Sequence, residues 1–490
     1  AIDPNSGALG RYLTGISASH RYNLFRNKVW NFLSRWTRFG PILQRFIQAT
    51  VRTTKSFFFK QSNLFHSFNF RYFGPVDGHN LPYLIHILDV LKDIPGPKLL
   101  HCVTTKGKGF KVAEENQTEW HAPGKFNKET GERIQSGNGH NDPPRYQDVF
   151  GETLLELARD NKKIVGVTPA MPSGCSMNIM AEEMPHRVFD VGIAEPHAVT
   201  FSAGMAAEGL IPFCNIYSSF MQRSYDQVIH DVALQNLPVI LCLDRAGLVG
   251  EDGPTHHGIF DIAAYRNVPN LILSSPLNEM ELRNLMYTAQ KNPQPFLIRY
   301  PRGYGNTAGW KKPFSELPIG KGEMIKDGSG IAILAYGPIG QNALNAAVEL
   351  EKENISCAVY NMRYVKPLDE ELLHGVMKKF NTVVTIEDGV ISGGFGSAVL
   401  EFMSANTYGN KLVRLGIPDK FIEHGRIDEL QKICGIDTDS IISSVKGIIE
   451  NKSKTENNPK TQSVKALPET PNDSKKKKKK IEGTAGPSLF

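Results

Sequence analysis

Phe189-Asp190-Val191-Gly192-Ile193-Ala194-Glu195-Pro196-His197 reads as a short apolar strand that ends in a carboxylate just where a helix begins. Outward from it, apolar runs alternate with amphipathic stretches. The spacing predicts a helix to Arg159, strands over 164–167 and 188–191, a helix from Pro196, a strand over 211–216, a helix over 225–235 and a strand over 239–244. Strands alternating with helices of this length argue for a parallel sheet with helices on both faces. A Gly/Pro/Lys stretch follows Arg302, and a second alternation begins at Gly330, with strands over 331–335, 357–361, 382–386 and 412–415. The expected fold class is therefore multi-domain α/β.

Upstream, residues 7–50 carry helix-like spacing with basic residues between the apolar ones. A Gly/Pro-punctuated loop is expected over 68–79, then a helix to Leu91 and a strand over 98–105 that ends at Lys106-Gly107-Lys108-Gly109. The segment 114–144, rich in Asn, Gly, Glu and Pro, reads as a linker.

With 490 residues the chain is long enough for two or three domains. The net charge of +6 suggests nucleic acid or a membrane surface until its location is considered. From residue 451 onward ten lysines face four acids, so the preceding residues sum to zero. The run 475–480 reads as a solvated, disordered tail, and neither nucleic acid nor membrane is expected as a partner. No apolar run approaches the roughly 18 residues of a spanning helix. Six scattered cysteines support neither a metal knuckle nor a disulfide framework; they fit a reducing compartment, cytoplasm or an organelle stroma.

Chemistry concentrates at four strand ends. One carries Glu195, the next Tyr217-Ser218-Ser219-Phe220-Met221-Gln222-Arg223, the third Arg245-Ala246-Gly247 followed by Gly250-Glu251-Asp252-Gly253-Pro254-Thr255-His256-His257, and the fourth Arg299-Tyr300-Pro301-Arg302. Ligands of open α/β sheets sit outside the carboxyl ends of strands. Glu195 alone could simply stabilise a helix start. Four such ends with Arg, Asp and His together indicate an anionic substrate and proton transfer.

These segments resemble the 1-deoxy-D-xylulose-5-phosphate synthase family, within the transketolase-like thiamine-diphosphate enzymes. Phe73-Gly74-Pro75-Val76-Asp77-Gly78-His79 and His121-Ala122-Pro123-Gly124-Lys125-Phe126 extend the likeness before them. Asn361-Met362-Arg363-Tyr364-Val365-Lys366-Pro367 and Gly416-Ile417-Pro418-Asp419 extend it after them. The resemblance spans roughly residues 1–450. It implies a thiamine-diphosphate-dependent condensation of pyruvate with glyceraldehyde 3-phosphate, with loss of carbon dioxide, to 1-deoxy-D-xylulose 5-phosphate, in a cytoplasmic homodimer. It also implies roles. Glu195 would share a proton with the cofactor's aminopyrimidine, His256 and His121 would line the reaction centre, and Phe110, Phe220 and Arg223 would contact the cofactor. Tyr217, Arg245, Asp252 and Arg302 would bind the acceptor; His257 would only pack beside them.

The implied domains are 1–113, the end of a diphosphate-binding domain; 114–145, a linker; 146–312, a pyrimidine-binding domain; and 325–450, a carboxy-terminal domain before the tail 451–490. The family holds Mg2+ through Gly-Asp-Gly and a later Asn. No Gly-Asp-Gly occurs in this sequence, and residues 2–9 resemble the family just after that Asn. The metal ligands are therefore expected before Ala1, and this chain is not expected to be active alone. Pro196 stands where the family usually has Gln, at a helix position that tolerates proline. Two alternatives remain: a beta-type subunit of a two-chain 2-oxo-acid dehydrogenase-like enzyme, and a non-catalytic remnant.

Overall fold

The computed structural model describes residues 65, 68–117, 120, 124–132, 143–306 and 309–456. The readings on residues 7–50, on His121 and on the tail beyond 456 lie outside the described residues. The chain divides into two units, Ala1–Asn138 and Gly139–Phe490.

In the first unit, strand β1 (Arg71–Asp77) pairs in parallel with β2 (Lys98–Val103). Helix α1 (Leu81–Lys92) connects them, opened by the Asn80 side chain, which accepts from the Tyr83 N–H. Residues 71–77 were expected within a loop on account of Gly74 and Pro75, and they form a strand. The ladder register slips between Phe73 and Val76, which gives the proline, with no N–H to donate, a place outside the pairing. Gly74 has φ +124°, and a Cβ there would stand 2.6 Å from the His101 carbonyl oxygen. On either side Phe73 and Val76 are buried.

The second unit holds two sheets. The first takes β3 (Ile164–Thr168), β4 (Val188–Asp190), β5 (Ile211–Tyr217), β6 (Ile240–Ala246), β7 (Ile272–Ser274) and β8 (Phe296–Pro301), all parallel. The second takes β9 (Glu323–Lys326), β10 (Ile331–Tyr336) and β11 (Cys357–Asn361), then, beyond β12 (Tyr364–Lys366), β13 (Thr382–Val390) and β14 (Lys411–Ile417). Their orders are β12-β7-β8-β6-β5-β3-β4 and β14-β13-β10-β11-β9. Strands covered on both faces need apolar residues at every position. In β6, Leu241 and Leu243 enter one buried cluster, whereas Ile240 and Cys242 enter the cluster on the opposite face.

Helix α2 (Tyr146–Asp160) precedes β3, α3 (Glu195–Ala207) joins β4 to β5, and α4 (Glu279–Ala289) joins β7 to β8. Two elements differ from the periodicity reading. The helix expected from Tyr225 begins at Ser218, directly after β5, and passes through short α and 3-10 turns into a π segment, Val228–Ala233. Second, β12 leaves the sheet of its neighbour β11 and pairs antiparallel with β7. Arg363, between them, donates through Nε to Glu281, and Asn361 Nδ2 donates to the same carboxylate at 3.0 Å. The two sheets are thus stitched through α4.

Helix α5 (Phe395–Ala405) begins under a buried carboxylate: Glu387 accepts from the Phe395 and Gly396 N–H groups at 2.7 and 2.8 Å. The last helix among the described residues, α6 (Thr438–Glu456), runs past residue 450. Burial pushes the Glu387 carboxyl from its ordinary 4.5 up to about 7. The folded chain then holds a proton that the unfolded chain releases, so this contribution is full below pH 4.5 and lost as pH rises through 7. A shift of this size corresponds to roughly 3 kcal/mol. Urea unfolding at pH 5 and pH 8 should show Glu387→Gln gaining on the parent by an amount of that order between the two. A constant difference would mean that Glu387 ionises normally.

Candidate active site

Asp190 closes β4 and fixes the turn after it, its Oδ1 accepting from the Ala170 and Gly192 N–H groups at 2.7 and 2.9 Å. Gly192, at φ +73°, turns the chain towards α3. Glu195 is the first residue of that helix and is 3% exposed. A negative group there is favoured by the helix dipole. The residue before it, Ala194, offers no side-chain cap, and the Glu195 carboxylate turns to Arg223, whose Nη1 donates to Oε1 at 2.7 Å. Because the Arg223 side chain is 56% exposed, this buried carboxylate has a solvent-facing partner rather than an internal one.

The turn after β5 supplies an aromatic shelf. Tyr217 and Phe220 stack with ring centres 5.5 Å apart, Arg223 lies 5.1 Å over Phe220, and His256 meets Phe220 edge-on at 5.3 Å. Pairs of this geometry contribute about 0.5–1.5 kcal/mol beyond their buried area. Glu195, Arg223, Phe220, Tyr217 and His256 therefore form one connected group.

Arg245 extends it. Its backbone is left-handed at φ +60°, a conformation that costs a non-glycine residue on the order of 1–3 kcal/mol and collects at functional positions. Its guanidinium lies 4.0 Å over the Tyr217 ring, donates to Asp244 Oδ2 at 2.6 Å and reaches Gln147 Oε1 at 3.2 Å. Asp244 is fully buried, and burial pushes its carboxyl up to about 6 despite the adjacent guanidinium. Burial likewise pushes the Tyr217 phenol up to about 12.

Arg302 Nη1 donates to Asp252 and, at 3.3 Å, to the Val249 carbonyl oxygen. Its half-buried side chain leaves part of the fork open to solvent. His256 is joined to the Thr255 hydroxyl at 2.9 Å. His257 is buried; its Nδ1 accepts from the Val249 N–H at 3.1 Å, and burial lowers its pKa. It braces the loop from within.

Phe110 lies in the first unit, packed against Trp120 and Phe126 at 4.9 and 6.1 Å. Arg299, read from sequence as one of the rim arginines, is wholly buried between Asp261 and Asp388. The sequence reading missed Asp190, Asp244 and Gln147 as supporting residues. An acid closing an otherwise apolar strand was the available signal for the two aspartates; Gln147 gives none.

Comparison with known proteins bears on this geometry. Residues 1–104 match the family model described as 1-deoxy-D-xylulose-5-phosphate synthase. Residues 142–306 match the transketolase pyrimidine-binding domain, and residues 320–441 the transketolase carboxy-terminal domain. A protein of Cytophaga hutchinsonii named 1-deoxy-D-xylulose-5-phosphate synthase is 58% identical over 91% of this chain and 71% of its own length. The Aquifex aeolicus protein of that name is 46% identical over 92% and 70%. A solved structure described as a split gene transketolase in an inactive beta4 tetramer is 28% identical, with a TM-score of 0.56 over 62% of this chain and 98% of that one.

Proposed function

The chain belongs to the 1-deoxy-D-xylulose-5-phosphate synthase family of transketolase-type transferases, and on that premise we propose how its residues divide the condensation of pyruvate with glyceraldehyde 3-phosphate. The observation that carries the reading is Glu195, a buried carboxylate at a helix start whose partner among the described residues is the exposed Arg223, which itself lies over the Phe220 ring. Such a donor set suits an uncharged nitrogen heterocycle that must exchange a proton. It fits the pyrimidine end of thiamine diphosphate. For the other end, the described residues contain no group of three His, Cys, Asp or Glu able to hold a metal ion.

Bound thiamine diphosphate would supply the carbanion chemistry that releases carbon dioxide and forms the new carbon–carbon bond. Glu195 would hold and return a proton at the pyrimidine ring, in a setting where burial makes that hydrogen bond strong. Phe220 would pack on the ring, and Arg223, bonded to Glu195 Oε1, would orient that carboxylate. Arg245 and Arg302 would bind the acceptor phosphate, which suits planar forks better than ammonium groups. Tyr217 and Asp252 set the orientation of those two forks, and His256 moves protons near the reacting carbonyl.

In the same proposal residues 1–113 close a diphosphate-binding domain to which Phe110 and His121 contribute, 146–312 form the pyrimidine domain and 325–450 the carboxy-terminal one. Magnesium, a homodimer and a cytoplasmic location complete it. No helix among the described residues is long and apolar enough to cross a membrane. The test is whether the chain, joined to the amino-terminal segment of a relative, turns pyruvate and glyceraldehyde 3-phosphate into 1-deoxy-D-xylulose 5-phosphate only when thiamine diphosphate is present.

A further inference from the structure

We propose that Arg299 and Asp388 are positioning residues through which the carboxy-terminal domain sets the acceptor-binding loop, an inference that rests on the acceptor role given above to Arg245. Arg299 is fully buried in β8, and its guanidinium joins elements next to the site to the carboxy-terminal sheet. Its Nε donates at 2.9 Å to Asp261 Oδ2, which also accepts from the Ser218 hydroxyl at 3.0 Å, the first residue of the helical turn bearing Phe220. Its Nη2 reaches the Gly258 carbonyl oxygen at 3.5 Å, at the end of the loop bearing Asp252 and His256. Its Nη1 donates at 2.5 Å to Asp388 on β13, in the other sheet.

The same carboxylate presses on the acceptor segment directly. A Cβ added to Gly247 would stand 2.3 Å from Asp388 Oδ2, so the acid lies against the backbone two residues from Arg245. Gly247 and Gly258 exchange both N–H···O bonds at 2.8 Å, tying the two ends of the loop together over that point. The Val390 N–H, two residues beyond Asp388, donates to the Ile259 carbonyl oxygen at 3.0 Å. Farther along the loop, the Gly425 N–H reaches the Gly250 carbonyl oxygen at 3.4 Å.

A buried ion pair costs desolvation that its own attraction barely returns, so its usefulness lies in fixing one arrangement. Here the arrangement fixed is that of Arg245, which sits in a strained left-handed conformation and needs neighbours to hold it. Ser218 and Gly258, bonded to Asp261 and Arg299, carry the same restraint to Phe220 and His256. The carboxy-terminal domain, which supplies none of the proposed substrate contacts, thereby governs how well the acceptor is bound.

The test uses Asp388→Asn, which keeps the shape and an acceptor for Arg299 but removes the charge, together with Arg299→Lys, whose single ammonium cannot span Asp261 and Asp388. Amide hydrogen exchange is followed at Gly247 and at residues 256–259, with amides of β3 and β10 as the reference. Calorimetric titration with glyceraldehyde 3-phosphate gives the acceptor affinity, with Arg245→Ala as a control. The expected result is loop exchange faster by tenfold or more than any change in the reference strands, and acceptor affinity weaker by about tenfold. If loop and strand amides accelerate together, or if neither changes, the positioning role is overturned and the ion pair only stabilises the fold. If the loop loosens and Arg245→Ala weakens binding while Asp388→Asn does not, the link to the acceptor is overturned. Should Arg245→Ala itself leave the affinity unchanged, the acceptor reading of the site fails instead. Where Asp388→Asn fails to fold, Arg299→Lys decides by the same readings.

Discussion

Replacing Glu195 by Gln in the chain joined to a relative's amino-terminal segment should reduce turnover on the order of a hundredfold to ten-thousandfold while leaving the fold intact, because only the proton shared with the pyrimidine ring is lost. The structure says why the fold should survive. Glu195 caps nothing with its side chain, and its partner among the described residues, Arg223, is largely solvated and can donate equally to an amide oxygen. Pro196 in the first turn of α3 keeps that helix start in place without help from the carboxylate. Steady-state rates with both substrates saturating, set beside a thermal melt, check this. Activity within a few-fold of the parent would remove Glu195 from the reaction.

Removing an acceptor arginine should instead separate the two substrates. Charge-assisted contacts are worth roughly 1.5–3 kcal/mol each, or about tenfold to a hundredfold in the requirement for glyceraldehyde 3-phosphate, with pyruvate nearly unaffected. The two arginines are not equivalent probes. Arg245 faces the fully buried Asp244, and truncating it leaves that acid without its cation, a change that typically costs about 3–5 kcal/mol. Arg302 is half-buried and pairs with the exposed Asp252, so Arg302→Ala is the cleaner measurement. KM for each substrate, determined separately, decides: equal losses for both would show that these arginines hold the scaffold and not the phosphate.

What the sequence made legible were the buried strands and the residues at their carboxyl ends. Long apolar runs such as that of β6 can be buried only between two layers, and the parallel arrangement then places Glu195, Tyr217, Arg245 and Arg302 at one rim. Three kinds of feature escaped. Strands β7 and β12 are three residues each and carry no pattern that sets them apart from their flanks, and β12 pairs with β7 next to the point where Arg363 and Asn361 donate to Glu281 across the gap. The strand over 71–77 was hidden by Gly74 and Pro75, which mark a bulge there as readily as a loop. Arg299 was misplaced because the chain gives no sign of which face of β8 it takes. Leu297, two residues earlier, shares that face and is buried, whereas Arg302 lies just beyond the strand. The aspartates that receive Arg299, 38 positions before it and 89 after, are neighbours only in the folded chain.

The most direct measurement of the central claim is the product itself. The chain is joined to the amino-terminal segment of the Cytophaga hutchinsonii relative, of whose length it covers 71%, and is incubated with pyruvate, glyceraldehyde 3-phosphate, thiamine diphosphate and magnesium while NMR follows the sugar phosphates. The account predicts 1-deoxy-D-xylulose 5-phosphate that depends on the cofactor and disappears with Glu195→Gln. A folded, cofactor-binding protein that forms none of it, or that forms it equally well with Gln at position 195, would contradict the account.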